Sequence, residues 1–153
     1  MSDTRRLDRG TFLEIVRNSP LVSVDFVVRD ERGRMLVGLR NNEPAKDCWF
    51  VPGGRICKDE RIVDAQRRVA REELGIELDP TAPSLLGVYE HLYDSNFAGA
   101  QGFGTHYVVL AYELRLSEAD LDLERSQHRD YRWLTSDEVR AAPDVHPNTK
   151  AYA

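Results

Sequence analysis

Residues 49–76, WFVPGGRICKDERIVDAQRRVAREELGI, join a short apolar run to a double glycine and then to a charged, helix-like stretch. Trp49-Phe50-Val51 predicts a short strand running into Pro52-Gly53-Gly54. From Glu60 to Leu74 the pattern is helical, with Val63, Ala70 and Leu74 at apolar spacing. Gly75 closes that helix as a C-terminal cap. Positions 69, 72 and 73 stand at i, i+3 and i+4 and share a face. Glu72 and Glu73 are carboxylates; the remaining position is Val69. Carboxylates on one helix face form a hard oxygen site suited to Mg2+, and Arg68 can pair with them and hold them. Taken alone, two glutamates near a helix end are more simply a solvated charge pair. Their fixed spacing back to Glu60 and Gly54 reverses that weighting.

Outward from this stretch the signals alternate between strand and helix. Residues 8–18 predict a short amphipathic helix with Phe12, Ile15 and Val16 on one side, stopped by Pro20. Residues 21–29 predict a strand, residues 30–33 a turn, and residues 34–40 its hairpin partner. Residues 41–48 are a polar loop. Residues 83–92 and 105–115 are strand-like, and between them 94–104 is a loop with three glycines. An acidic segment, 117–130, precedes a short strand at 131–134. Thr135-Ser136-Asp137 caps a last helical turn through Ala142. Periodicity alone supports an α+β class.

The chain has 153 residues, enough for one domain with a proper core, expected to span 1–153. A net charge of -5 disfavours nonspecific nucleic-acid binding but leaves a nucleotide ligand open, since a metal and a few arginines serve phosphates locally. Cys48 and Cys57 form neither a disulfide framework nor a CxxC pair and read as incidental. No apolar run approaches membrane-spanning length, and residues 1–10 carry no signal-peptide core. No membrane partner and a cytoplasmic location are the default expectation.

Read from Gly54, the spacing G-x5-E-x7-R-x-x-x-E-E-x-G-I resembles the Nudix box, G-x5-E-x7-R-E-U-x-E-E-x-G-U, with U a bulky aliphatic residue. Seven of its nine specified positions match; Val69 replaces a glutamate and Ala70 a larger aliphatic. The resemblance implies a Nudix-type α/β/α sandwich with a central mixed sheet. Further segments, LVSVDF, WFVPGGR, THYVVL and Gln127-His128 ahead of YRWLTSDE, resemble the GDP-mannose mannosyl hydrolases, a Nudix branch with an altered box. They run from about Pro20 to the NTKAYA tail. That branch cleaves GDP-mannose at the sugar carbon, where ordinary Nudix enzymes attack phosphorus, and several members are homodimers. Val69 agrees with the branch; the retained Glu72 keeps the box closer to the ordinary pattern.

Breaking an anomeric C–O bond requires a stabilised leaving group, an activated water and room for that water on the opposite face of the sugar. The resemblance implies one Mg2+ per subunit, with Mn2+ able to substitute, held by Glu73, the Gly53 carbonyl and the Gln127 side chain. His128 is the candidate general base, since imidazole titrates near neutrality. Arg55, directly after the double glycine, and Arg40, at a strand end, are candidates to hold the diphosphate. Asp25 interrupts an apolar strand and shares a face with Ser23. A carboxylate there needs a partner such as a sugar hydroxyl, an arginine or a backbone amide. Tyr107 resembles the branch's phosphate-bonding tyrosine, and Tyr93 is a further candidate. His91 either contacts the phosphates or leaving group, as the resemblance implies, or is a half-buried strand histidine bonded to backbone. His106 and His146 carry no marker. The expected reaction is hydrolysis of a small-molecule GDP-sugar to GDP and free sugar with inversion. An ordinary pyrophosphohydrolase, supported by Glu72-Glu73, and a non-enzymatic nucleotide sensor are the alternatives.

Overall fold

The computed structural model describes residues 6–123 and 128–153. Helix α1 (Arg9–Asn18) begins at Asp8, whose carboxylate accepts from the Thr11 backbone N–H, and gives way to extended backbone at Ser19 before Pro20. Strand β1 (Leu21–Arg29) follows, then β2 (Met35–Arg40), β3 (Trp49–Phe50) and β4 (Gly53–Arg55). Helix α2 (Ile62–Leu74) ends at Gly75, which adopts the left-handed conformation at φ 66° and returns its N–H to Ala70 and Arg71. Strands β5 (Ser84–Tyr93), β6 (Thr105–Arg115) and β7 (His128–Leu134), then helices α3 (Ser136–Ala141) and α4 (Pro147–Lys150), complete the chain. Thr135 and Glu138 form a reciprocal capping box at the start of α3.

The strands form one mixed sheet in the order β3-β2-β1-β6-β5, with β4 also on β1 and β7 also on β2. β1 runs parallel to β6 over its whole length, and every other pairing is antiparallel. Period-two alternation along β1 builds two cores. Val24, Phe26 and Val28 face α2 with Ala65, Val69, Ala70 and Leu74. On the opposite face, Val27 joins Met35, Val37, Phe50 and Val139 of α3, together with Val145 and Tyr152 near the C-terminus. Helices on both faces of a mixed sheet give the expected α/β/α layering.

Several boundaries differ from expectation. The β1–β2 hairpin is reduced to one paired position, Arg29 with Met35. Asp30 tightens the connection, its carboxylate accepting from the backbone N–H groups of Arg32 and Arg34 and from the Arg34 side chain. The remainder of that β1 edge is taken by β4, which pairs Ser23, Val24 and Asp25 with Arg55, Gly54 and Gly53. α2 starts at Ile62, because Glu60 is occupied by the Cys57 N–H and by Arg68. His128, expected in a polar loop, begins β7 three residues before the anticipated strand start.

Candidate active site

A cavity of about 250 Å3 opens on the β1 face opposite α2. Asp25, Arg40, Gly53, Arg55, His91, Tyr93 and Tyr107, all singled out from sequence, line it; Phe12, Ser23 and Phe50 complete much of the wall. Seven elements contribute, α1 through Phe12 and β3 through Phe50 among them. β1 supplies Asp25, and β2 supplies Arg40 beyond a register shift in its pairing with β7. β4 supplies the glycines and Arg55, while β5 and β6 supply His91, Tyr93 and Tyr107.

Asp25 sits at the buried floor. Its Oδ2 accepts from the Tyr152 hydroxyl at 2.8 Å, and that hydroxyl also stands 3.3 Å from His91 Nε2. Burial pushes the Asp25 carboxyl up to about 7, although the Tyr152 bond and the Arg40 charge pull the other way. Burial, with the nearby His146, holds the His91 imidazole down at about 4. His91 is 3% exposed and its ring meets Phe50 edge-on. It is therefore neutral around pH 7, and a side-chain hydroxyl is its observed partner. Burial raises the Tyr93, Tyr107 and Tyr152 phenols, so all remain protonated donors at neutral pH.

The two arginines are held differently. Arg40 donates Nε to the Pro44 carbonyl at 2.9 Å. The Arg55 guanidinium lies over the Phe12 ring, 4.9 Å from its centroid. Both contribute positive charge at Tyr107. A cavity carrying two guanidinium groups and neutral hydroxyl donors suits a diphosphate, while the floor carboxylate suits a hydroxyl donor.

Gly53 leaves no room for a side chain. A Cβ there would collide with Asp25 Oδ1 and stand 2.7 Å from the Val24 carbonyl oxygen. The Phe26 N–H bonds the Pro52 carbonyl and the Ile56 N–H bonds the Val22 carbonyl. In an antiparallel ladder bonded and non-bonded pairs alternate, so the peptide groups of Gly53 and Arg55 point away from β1. On that outer edge Arg68 Nη2 takes the Arg55 carbonyl at 2.7 Å. Arg68 also grips Glu60 through two bonds, at 2.8 and 3.0 Å, and Glu72 at 3.0 Å.

The acidic residues of α2 part company. Glu72 points outward with its side chain 54% exposed, whereas Glu73 is 4% exposed. Val69 is buried in the core against Gly54, whose missing Cβ would stand 2.9 Å from Val69 Cγ2. Glu73 does not line the cavity, since α2 packs on the other face of β1. Among the described residues no three acidic, histidine or cysteine side chains gather as a metal cluster. What is present is one buried carboxylate on α2, Glu73, and, on the neighbouring β4, the Gly53 carbonyl turned away from β1. An all-oxygen set of this kind fits one hard divalent cation better than several. Gln127 lies outside the described residues. His128 is placed by its backbone, paired directly with Arg40 across β2 and β7.

Tyr152 had no signal in the sequence reading. It reaches Asp25 because the C-terminal segment is stitched to β3: Trp49 donates its backbone N–H to the Asp144 carbonyl and its indole N–H to the Asp144 carboxylate. Phe12, from α1, was read only as a packing residue. His146 caps α4 through Nδ1, and its ring lies 5.3 Å from that of Tyr93.

A sequence profile of the NUDIX domain matches residues 19–153. The low-salt glycan biosynthesis protein Agl8 of Haloferax volcanii is 45% identical over 126 residues, covering 82% of this chain and 77% of that protein. An ADP-ribose pyrophosphatase of Methanocaldococcus jannaschii is 39% identical over 70 residues, covering 46% of this chain and 40% of that protein. Among solved structures, a MutT NUDIX hydrolase from Burkholderia pseudomallei superposes with a TM-score of 0.71 at 26% identity, covering 88% of this chain and 95% of that one. Sharing the family's sequence profile, its α/β/α layers and most of its signature box, the chain belongs to the NUDIX domain family and is a Nudix hydrolase.

Proposed function

We propose that this Nudix hydrolase cleaves GDP-mannose or a related GDP-sugar at the anomeric carbon, releasing GDP and free sugar with inversion. The observation that carries this reading is that Arg40, Arg55 and Tyr107 line one cavity together with a buried Asp25. The arginines and Tyr107 hold the diphosphate as GDP departs. Asp25, anchored by Tyr152, offers Oδ1 to a sugar hydroxyl, with His91 and Tyr93 completing that wall. His128, opposite Arg40 in the β2–β7 ladder, takes the proton of the attacking water.

Enzymes of this family use divalent metal ions, and here Glu73, the Gly53 carbonyl and Gln127 would hold one Mg2+, with Mn2+ able to replace it. When bound, the ion supplies charge neutralisation to the leaving diphosphate. Val69 in place of a glutamate supports an ion count of one. The named role of Agl8 in glycan biosynthesis supports a sugar-nucleotide substrate. A homodimer, readable by sedimentation, belongs to the same proposal.

The second reading is attack at phosphorus. It draws on the retained Glu72-Glu73 pair and on the relative named an ADP-ribose pyrophosphatase. Hydrolysis of GDP-mannose in 18O-water separates the two. Label in the sugar and none in GDP is expected; label in a phosphate product refutes cleavage at carbon. NMR of the first-formed sugar should show the β anomer from an α-linked substrate.

A further inference from the structure

Arg55 is held by an aromatic column that begins outside the cavity. Arg9 lies over Phe97 at 5.3 Å, Phe97 packs on Phe12 with centroids 5.0 Å apart at 32°, and Arg55 lies over Phe12 at 4.9 Å. Phe97 belongs to the loop 94–104, and Phe12 to α1. The loop has a definite shape. Asn96 is buried, donates to the Ala100 and Phe103 carbonyls, and accepts from the Ala98 and Ala100 N–H groups. A second contact, Arg17 over Phe103 at 5.8 Å, fastens the loop to α1. Its other end reaches the loop that follows the second arginine: Ser95 donates to Glu43 at 2.9 Å, next to Pro44, whose carbonyl accepts from Arg40.

We propose that Phe97 and Phe12 are positioning residues for Arg55, and that the loop 94–104 is the strap that sets where this guanidinium meets a diphosphate. Among the described residues Arg55 enters no ion pair, and the face of Phe12 is the observed contact of its guanidinium. An aromatic face attracts a guanidinium without accepting through its N–H groups as a carboxylate would, so a contact of this kind restrains the side chain while leaving donors for a ligand. Phe12 lines the cavity with Arg55 and transmits the loop's position; Phe97 packs on Phe12 and does not itself line the cavity. The inference rests on the reading of Arg55 as a diphosphate ligand and adds what aims it.

GDP is the probe, titrated calorimetrically against the full chain with Mg2+ present. Phe97→Ala should weaken GDP binding about fivefold and Phe12→Leu about tenfold. Phe97→Tyr, which keeps the aromatic face, should bind as wild type. In an Arg55→Ala background Phe97→Ala should cost nothing further, since the column then has nothing to aim. In turnover the loss should fall on KM, with kcat within about twofold. Equal losses from Phe97→Ala in both backgrounds would overturn the positioning role while leaving Arg55 as a ligand. If Arg55→Ala itself leaves GDP affinity unchanged, the diphosphate reading falls and the proposal falls with it.

Discussion

Tyr152→Phe removes one hydroxyl from the cavity floor while keeping the ring, which packs edge-on to Tyr89 at 4.9 Å. What is lost is the bond to Asp25 at 2.8 Å and the 3.3 Å contact to His91. The size of the loss depends on the charge of Asp25. Its carboxyl is raised from 3.8 to about 7 chiefly by burial. A raised carboxyl contributes stability that is complete below pH 3.8 and is lost as pH climbs through 7. At about 1.4 kcal/mol per pH unit that interval sets a ceiling of roughly 4 kcal/mol. At pH 5 Asp25 is mostly neutral in the native state, and the substitution forfeits an ordinary bond of about 1 kcal/mol. At pH 8 it is a carboxylate, and the forfeited bond is charge-assisted, about 2–3 kcal/mol. Unfolded-state titration is common to both proteins and cancels, and native His91, held near 4, is neutral at both pH values. Urea unfolding at pH 5 and pH 8, with EDTA present and m-values compared, reads the difference. Equal losses at the two pH values, or a larger one at pH 5, would refute the assignment of Tyr152 as the donor that stabilises charged Asp25.

Glu73→Gln should lower Mg2+ affinity and activity by orders of magnitude, and Glu72→Gln much less, because Glu72 faces solvent on Arg68; calorimetric Mg2+ titration of both variants decides it. Arg68→Ala should destabilise by about 1.5–3 kcal/mol, since the Glu60 carboxylate, with its side chain 3% exposed, loses its two bonds from the guanidinium; chemical denaturation checks this. Gly53→Ala should cost about 1–3 kcal/mol or more, because the Val24 backbone 2.7 Å away cannot yield, and should abolish turnover even where the protein still folds. The His91 imidazole is lowered from 6.5 to about 4, so its contribution is present above pH 6.5 and lost as pH falls toward 4. His91→Phe should flatten that acid limb of the stability curve.

Elements whose hydrophobic period closes on itself were legible. α2, β1, β5 and β6 were readable to within a residue or two, because alternating or helical burial is written locally. β4 was not, since two of its three residues are glycine and its strand character comes from the open edge of β1. The β1–β2 hairpin forms where the sequence places its turn but pairs only Arg29 with Met35, because β4 holds the rest of that edge. In the cavity, residues on strands announced themselves as polar interruptions of apolar runs, Asp25 above all. Tyr152 could not, because its partner lies 127 residues away and the NTKAYA segment has no pattern of its own. Phe12 had a pattern, that of an amphipathic helix, and the pattern hid its second use.

Val69 has a bearing on what descendants of this chain can become. Its side chain belongs to the hydrophobic layer between α2 and β1, seated on the bare backbone of Gly54. A glutamate at 69 would complete the acidic face of α2, yet it would enter a site 1% exposed and crowd a position that admits no Cβ. Acquiring the full box is therefore not one substitution but a coordinated set, since Val69→Glu alone places a charge in the core. Position 69 is thus closed to a single step: an exchange of Val69 for glutamate meets a barrier that the packing itself raises.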